Sequence, residues 1–111
     1  MSLNVPFVPS VNFRKGRTQP CTLLVLHFTA GGDFDATADY LAKANPAQAS
    51  AHFLVARDAG DSRKHPEGVV QLVDLDDVVY HAGESSWEGK HGVNSFSVGI
   101  EICNYVKPTF M

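Results

Sequence analysis

The stretch Thr22-Leu23-Leu24-Val25-Leu26-His27-Phe28-Thr29-Ala30-Gly31-Gly32 constrains this chain more than any other. Its apolar run predicts a strand buried on both faces, because a half-solvated strand alternates with polar residues. An imidazole then stands at the carboxyl end, ahead of small residues and two glycines. A buried strand tolerates a histidine only when the ring has a partner. One reading makes His27 a core histidine bonded to a backbone carbonyl, the commoner use of a lone His on an apolar strand. The other makes it a metal ligand or acid–base group at the mouth of an open sheet, where α/β proteins place their sites. The strand by itself does not choose.

Composition narrows the function classes. A chain of 111 residues reads as one domain, 1–111, able to bury roughly two-thirds of the surface that its unfolded form exposes. A net charge of −3 gives no electrostatic reason to expect nucleic acid or an anionic membrane as partner. No apolar run approaches the ~20 residues that a membrane-spanning helix needs. The start, Met1-Ser2-Leu3-Asn4-Val5-Pro6, has no basic n-region and no long apolar h-region, so no signal peptide is read and a cytoplasmic location is expected. Cys21 and Cys103 are too few for a disulfide framework, and both are expected to act as small buried hydrophobes.

Residues 1–20 carry Pro6, Pro9 and Pro20 with Arg14, Lys15 and Arg17, and read as an extended lead-in over the surface with a solvated basic cluster. After the first strand, Asp33 is placed to cap a helix over 34–44, with Phe34, Thr37, Ala38 and Leu41 as its apolar stripe and Pro46 as its stop. Ala51 to Arg57 reads as a second strand, with Phe53 and Val55 on one side and His52 and Leu54 on the other. A polar excursion over 58–68 carries a solvated His65, and Val69 to Val73 is the third strand. The Gly- and Ser-rich loop over 83–94 carries Trp87 and His91, and long loops of this kind are commonly functional. Ser97 to Cys103 is the last strand, with Ser97, Gly99, Glu101 and Cys103 on one face. The fold expected is α/β, a mixed sheet with helical cover.

Two further side chains could work with His27. Glu101 lies on an apolar strand, where a carboxylate is ordinarily neutralised by a salt bridge to Arg or Lys. A carboxylate and an imidazole at sheet ends would equally suit general-base work on a metal-bound water. His81 precedes Ala82-Gly83, which leaves room beside it for a ligand, or else fixes its own loop by a hydrogen bond.

The order of the blocks is more specific than any of them. Leu26-His27-Phe28-Thr29-Ala30, Ser50-Ala51-His52-Phe53-Leu54-Val55-Ala56-Arg57-Asp58, Val70-Gln71-Leu72-Val73, Tyr80-His81-Ala82-Gly83 and Asn94-Ser95-Phe96-Ser97-Val98-Gly99-Ile100-Glu101 together resemble the zinc-dependent N-acetylmuramoyl-L-alanine amidases, whose superfamily includes the peptidoglycan-recognition proteins. The resemblance runs over about residues 20 to 104 and is closest to the anhydro-muropeptide recycling branch. It implies a central mixed sheet flanked by helices with a groove on one side. It implies His27 as the first zinc ligand and Glu101 as general base, with His81, Asn94 and Thr29 shaping the substrate groove. A tyrosine precedes the His52 position in the phage-lysozyme branch, whereas Ala51 stands there in this chain, and this together with Glu101 points to the recycling branch.

The resemblance also implies two more zinc ligands, a His and then an Asp or Cys, with a catalytic Lys between them in a C-terminal segment. No residues matching that segment stand before Met111. Catalytic zinc takes about three protein ligands, so three readings stay open: a truncated chain, a site completed by another chain, or a metal-free muropeptide-binding module. The chain by itself is expected to bind zinc weakly or not at all and to be nearly inactive. Peptidoglycan fragments are the expected partners. A homodimer is expected too, because both faces of the apolar strands need cover and the helix over 34–44 can shield only part of that area.

Overall fold

The computed structural model describes residues 5–29, 33–58, 62–81, 86–87 and 90–103. Its elements run β1 (Leu23–Thr29), α1 (Phe34–Ala42), β2 (Phe53–Val55), β3 (Val69–Gln71), β4 (Ser86–Trp87), β5 (Lys90–His91) and β6 (Ser97–Cys103), with a 3-10 turn over Val93–Phe96 leading into β6. Four strands form a sheet in the order β1-β6-β2-β3, and β4 and β5 form a separate hairpin. β6 is parallel to both β1 and β2, whereas β3 is antiparallel to β2, so the sheet is mixed. β2 and β3 are shorter than the runs Ala51–Arg57 and Val69–Val73 suggest. Ala82 to Ser85, and the glycines that follow β1, lie outside the described residues.

The α1 helix begins where the sequence places it. The Asp33 carboxylate accepts the Ala36 N–H at 3.1 Å, satisfying a donor that has no partner within the helix. Phe34, Ala38 and Leu41 are buried. They pack with Leu54, Val70 and Cys103 from one face of the sheet, and with Leu72, Val73 and Val79 beyond it, to form the core. The helix ends at Ala42 rather than residue 44, and its last carbonyls find distant partners. Ser10 Oγ and Asn12 Nδ2 donate to the Leu41 carbonyl at 2.6 and 2.9 Å, and Asn12 Nδ2 also reaches the Lys43 carbonyl at 2.7 Å.

Those contacts correct the reading of the N-terminal segment as a lead-in laid over the surface. Val8 donates to the Gln71 carbonyl and Gln71 to the Pro6 carbonyl, so the segment lengthens the sheet beyond β3. Ser10 and Asn12 are buried. Arg17 is no solvated charge either, since its guanidinium donates to the carbonyls of Leu75 and Ser97 at 2.8 and 2.9 Å and ties two loops together. His65 is half-buried against Phe34, with ring centroids 6.3 Å apart, rather than solvated.

The expectation that β1 is buried on both faces fails. Along β1 exposure alternates, and Leu24, Leu26 and Phe28 are 62%, 56% and 58% exposed. β1 is the outer strand, and α1 packs on the opposite face of the sheet. In register with these side chains stand Val98, Ile100 and Ile102 of β6, and beside them Phe53 and Val55 of β2. The result is an apolar face with no covering layer among the described residues. Cys103 is buried as expected, but Cys21 is exposed because it precedes the edge strand, beyond the reach of α1.

His52 is enclosed and serves the fold. Its Nδ1 accepts the Gly99 N–H at 3.0 Å, so its proton sits on Nε2, which donates to the Asp77 carbonyl at 2.8 Å. The ring thus clamps β6 to the turn over 74–77. Burial, ahead of all other causes, pushes its pKa below the ordinary 6.5. An unfolded chain takes up this proton near pH 6.5 and the folded one only lower down, so His52 supports the fold above 6.5 and opposes it as the pH falls. Urea midpoints at pH 7 and pH 5 should therefore differ less in His52→Gln, itself less stable at pH 7, than in the parent chain. An unchanged pH dependence would remove His52 as a cause.

Candidate active site

The site lies on the helix-covered face of the sheet, at the carboxyl ends of β1 and β6. The parallel register sets His27 opposite Glu101 and Thr29 opposite Cys103. His27 and Glu101 are both half-buried and point to the same face. No Arg or Lys among the described residues forms an ion pair with Glu101, so the salt bridge ordinarily found for such a carboxylate is absent there. Its Oε2 is buried without a hydrogen-bond partner among the described residues. Burial pushes the Glu101 carboxyl above its ordinary 4.5, and His27 opposes that shift.

His81 reaches the site from the turn after β3. Its ring lies against Gly99, where a Cβ would come within 2.6 Å of the imidazole Cγ, so a side chain there would evict it. Its Nδ1 is 3.1 Å from His27 Nε2, and its Nε2 is 2.9 Å from Ser97 Oγ. The two rings meet edge to face, with centroids 5.3 Å apart. Burial first, then the neighbouring His27, lowers the His81 pKa to about 4, so the ring is neutral at pH 7. Asn94 Oδ1 accepts the His81 backbone N–H at 3.1 Å and fixes the loop that carries the ring.

The residues that the sequence singles out thus separate into two layers. His27 and Glu101 stand side by side on neighbouring strands. His81 and Asn94 lie behind them, holding ring and loop. Thr29 is half-buried and stands in register with Cys103 on β6. Ser97 and Gly99 were missed as site residues, although their small size on an apolar strand opposite His27 is the signal that marks a seat for a ring. The side chains of Trp87 and His91 lie outside the described set.

Catalytic zinc takes about three protein ligands, and no group of three His, Cys, Asp or Glu among the described residues is placed to hold a metal. His27 and His81 adjoin, but they face each other Nε2 to Nδ1 within hydrogen-bonding distance. The described residues alone do not fit a complete zinc centre.

The family model for N-acetylmuramoyl-L-alanine amidase matches residues 17–110. The chain belongs to the N-acetylmuramoyl-L-alanine amidase family. The Escherichia coli N-acetylmuramoyl-L-alanine amidase AmiD is 38% identical over 82 residues, which are 74% of this chain and 28% of AmiD. Among solved structures, a selenomethionine derivative of AmpD superposes with a TM-score of 0.69 at 27% identity, over 94% of this chain and 63% of that one. AmiD from E. coli in complex with the substrate anhydro-N-acetylmuramic acid-L-Ala-D-γ-Glu-L-Lys gives a TM-score of 0.62 at 32% identity, over 82% of this chain and 34% of AmiD. The α/β mixed-sheet fold is therefore that of these amidases. The chain spans 24% to 30% of the length of the curated relatives that it matches.

An uncompensated buried carboxylate should cost stability. Glu101→Met keeps the length of the side chain and removes the charge, so it is expected to raise the thermal midpoint at pH 7. A lower midpoint in that variant would mean that the carboxylate gains more from its surroundings than its burial costs.

Proposed function

We propose that this chain is the sheet-bearing part of an amidase that hydrolyses the amide between N-acetylmuramic acid and L-alanine in peptidoglycan fragments. The observation that carries the reading is Glu101, a buried carboxylate with an unpartnered oxygen, in register with His27 on the neighbouring strand. A base poised for proton transfer needs an open acceptor and a raised pKa, and Glu101 has both. In this reading Glu101 takes a proton from the attacking water and passes it to the leaving L-alanine nitrogen. His27 would be one ligand to a zinc ion, with the other ligands supplied from outside the described residues, and such an ion would supply Lewis-acid chemistry. His81, Asn94 and Thr29 border the groove for the muropeptide. The substrate class is supported by the AmiD complex with an anhydromuramyl tripeptide. A cytoplasmic location and a recycling role go with this reading.

A second reading, a binding module that holds muropeptide without cleaving it, is favoured by the missing three-ligand cluster among the described residues. Calorimetry with an anhydromuramyl tripeptide, and mass spectrometry for the released peptide, separate the two. The 111-residue chain is expected to release almost none. In a polypeptide of the relatives' length, Glu101→Ala is expected to lower kcat by roughly 10²–10⁴-fold with little change in KM. Unchanged turnover would remove Glu101 as the base, and binding without cleavage by the long polypeptide would favour the module.

The uncovered sheet face suggests a second partner, another copy of the chain. Leu24, Leu26 and Phe28 are more than half exposed, and covering each would contribute on the order of 1 kcal/mol. Residues 6–10 do not cover this face, since they lie along the β3 edge. The chain is expected to sediment as a two-fold dimer at micromolar concentration, and Leu26→Lys to sediment as a monomer. A monomeric parent chain would end the proposal.

A further inference from the structure

We propose that His81 is a positioning residue. Held by Ser97 over the bare Cα of Gly99, it fixes His27 in its Nε2–H form and leaves His27 Nδ1 as the atom that carries the free lone pair. This rests on the reading that His27 works in the groove, and it assigns the working atom. The contacts form a line: His27 Nε2 to His81 Nδ1 at 3.1 Å, then His81 Nε2 to Ser97 Oγ at 2.9 Å. In a neutral imidazole one nitrogen donates and the other accepts, so the choice at one ring dictates the other. Two arrays satisfy the line. In one, His27 Nε2–H donates to His81 Nδ1, and His81 Nε2–H donates to the serine oxygen. In the other, the serine hydroxyl donates to His81 Nε2, and His81 Nδ1–H donates to His27.

The first array puts both rings in the Nε2–H form, which is intrinsically preferred for a histidine side chain. The second puts both in the disfavoured Nδ1–H form and turns a proton, not a lone pair, away from His81. His27 Nδ1 has no hydrogen-bond partner among the described residues, so nothing there offsets that preference. The seat is built to hold the line. Gly99 leaves the space that the ring of His81 fills, Ser97 is fully buried, and Asn94 fixes the backbone N–H of His81. A ligating histidine is ordinarily oriented by a partner on its other nitrogen, and His81 stands where that partner belongs.

The test reads the tautomer directly, by ¹⁵N–¹H correlation of the imidazole nitrogens in the ¹⁵N-labelled chain at pH 7.5. Expected for His27 are a protonated, pyrrole-type Nε2 and an unprotonated, pyridine-type Nδ1. In His81→Phe, which removes the acceptor facing His27 Nε2, the His27 nitrogens should move to averaged shifts. Gly99→Ala, which drives a Cβ into the His81 ring, should act like His81→Phe wherever its amide spectrum shows the fold intact. A pyrrole-type Nδ1 on His27 in the parent chain overturns the proposal. Parent shifts retained in His81→Phe overturn it as well. Because the readout needs no substrate, it stands apart from the amidase reading: retained turnover in Glu101→Ala would sink that reading while leaving the tautomer result unaltered.

Discussion

Everything at the site depends on the parallel pairing of β1 with β6. It joins residues more than seventy positions apart in sequence, His27 and Glu101, as direct neighbours across two strands. A shift of one residue would turn every β6 side chain to the opposite face and send Glu101 away from His27. What holds the register is polar as much as apolar. His52 clamps Gly99 through both its ring and its backbone, and Arg17 grips the Ser97 carbonyl at the entry to the strand. The site is thus fixed by groups that take no direct part in its chemistry.

The same face of the sheet has to satisfy two opposing demands. Toward Cys103, Leu54 and Val70 it is a conventional core under α1. Toward Ser97, Gly99 and Glu101 it is small and polar, and in place of aliphatic packing it holds an imidazole and a carboxylate. Leaving Glu101 Oε2 without a partner costs stability. A function that needs an open acceptor gives a reason for that cost. The apolar face on the other side of the sheet poses a separate demand, which nothing among the described residues meets.

Much of this was legible in the sequence, and for clear reasons. The alternation of small and branched residues from Ser97 to Cys103 gave the strand bounds and the side on which Glu101 lies. Asp33 and the stripe through Phe34, Ala38 and Leu41 gave the start and inner face of the helix, because capping and periodicity are local signals. The apolar content of β1 misled. It reports what the strand could bury, whereas burial depends on a covering layer that no local pattern encodes. Ser10, Asn12, Arg17 and His52 also escaped, since each is defined by a carbonyl or amide far along the chain. Of the groove residues, His81 was visible from its small neighbours, but its partners Ser97 and Gly99 emerged only with the register.

The central claim is that Glu101 is the base beside His27. The most direct measurement is the pH dependence of kcat/KM for release of L-alanyl peptide from an anhydromuramyl peptide, using a polypeptide of the relatives' length. A base must be deprotonated, so the rate should rise with pH along an acidic limb whose midpoint lies above the ordinary 4.5 of a glutamate. That limb should vanish in Glu101→Gln along with nearly all turnover. A limb that persists in Glu101→Gln at parental rate would contradict the assignment.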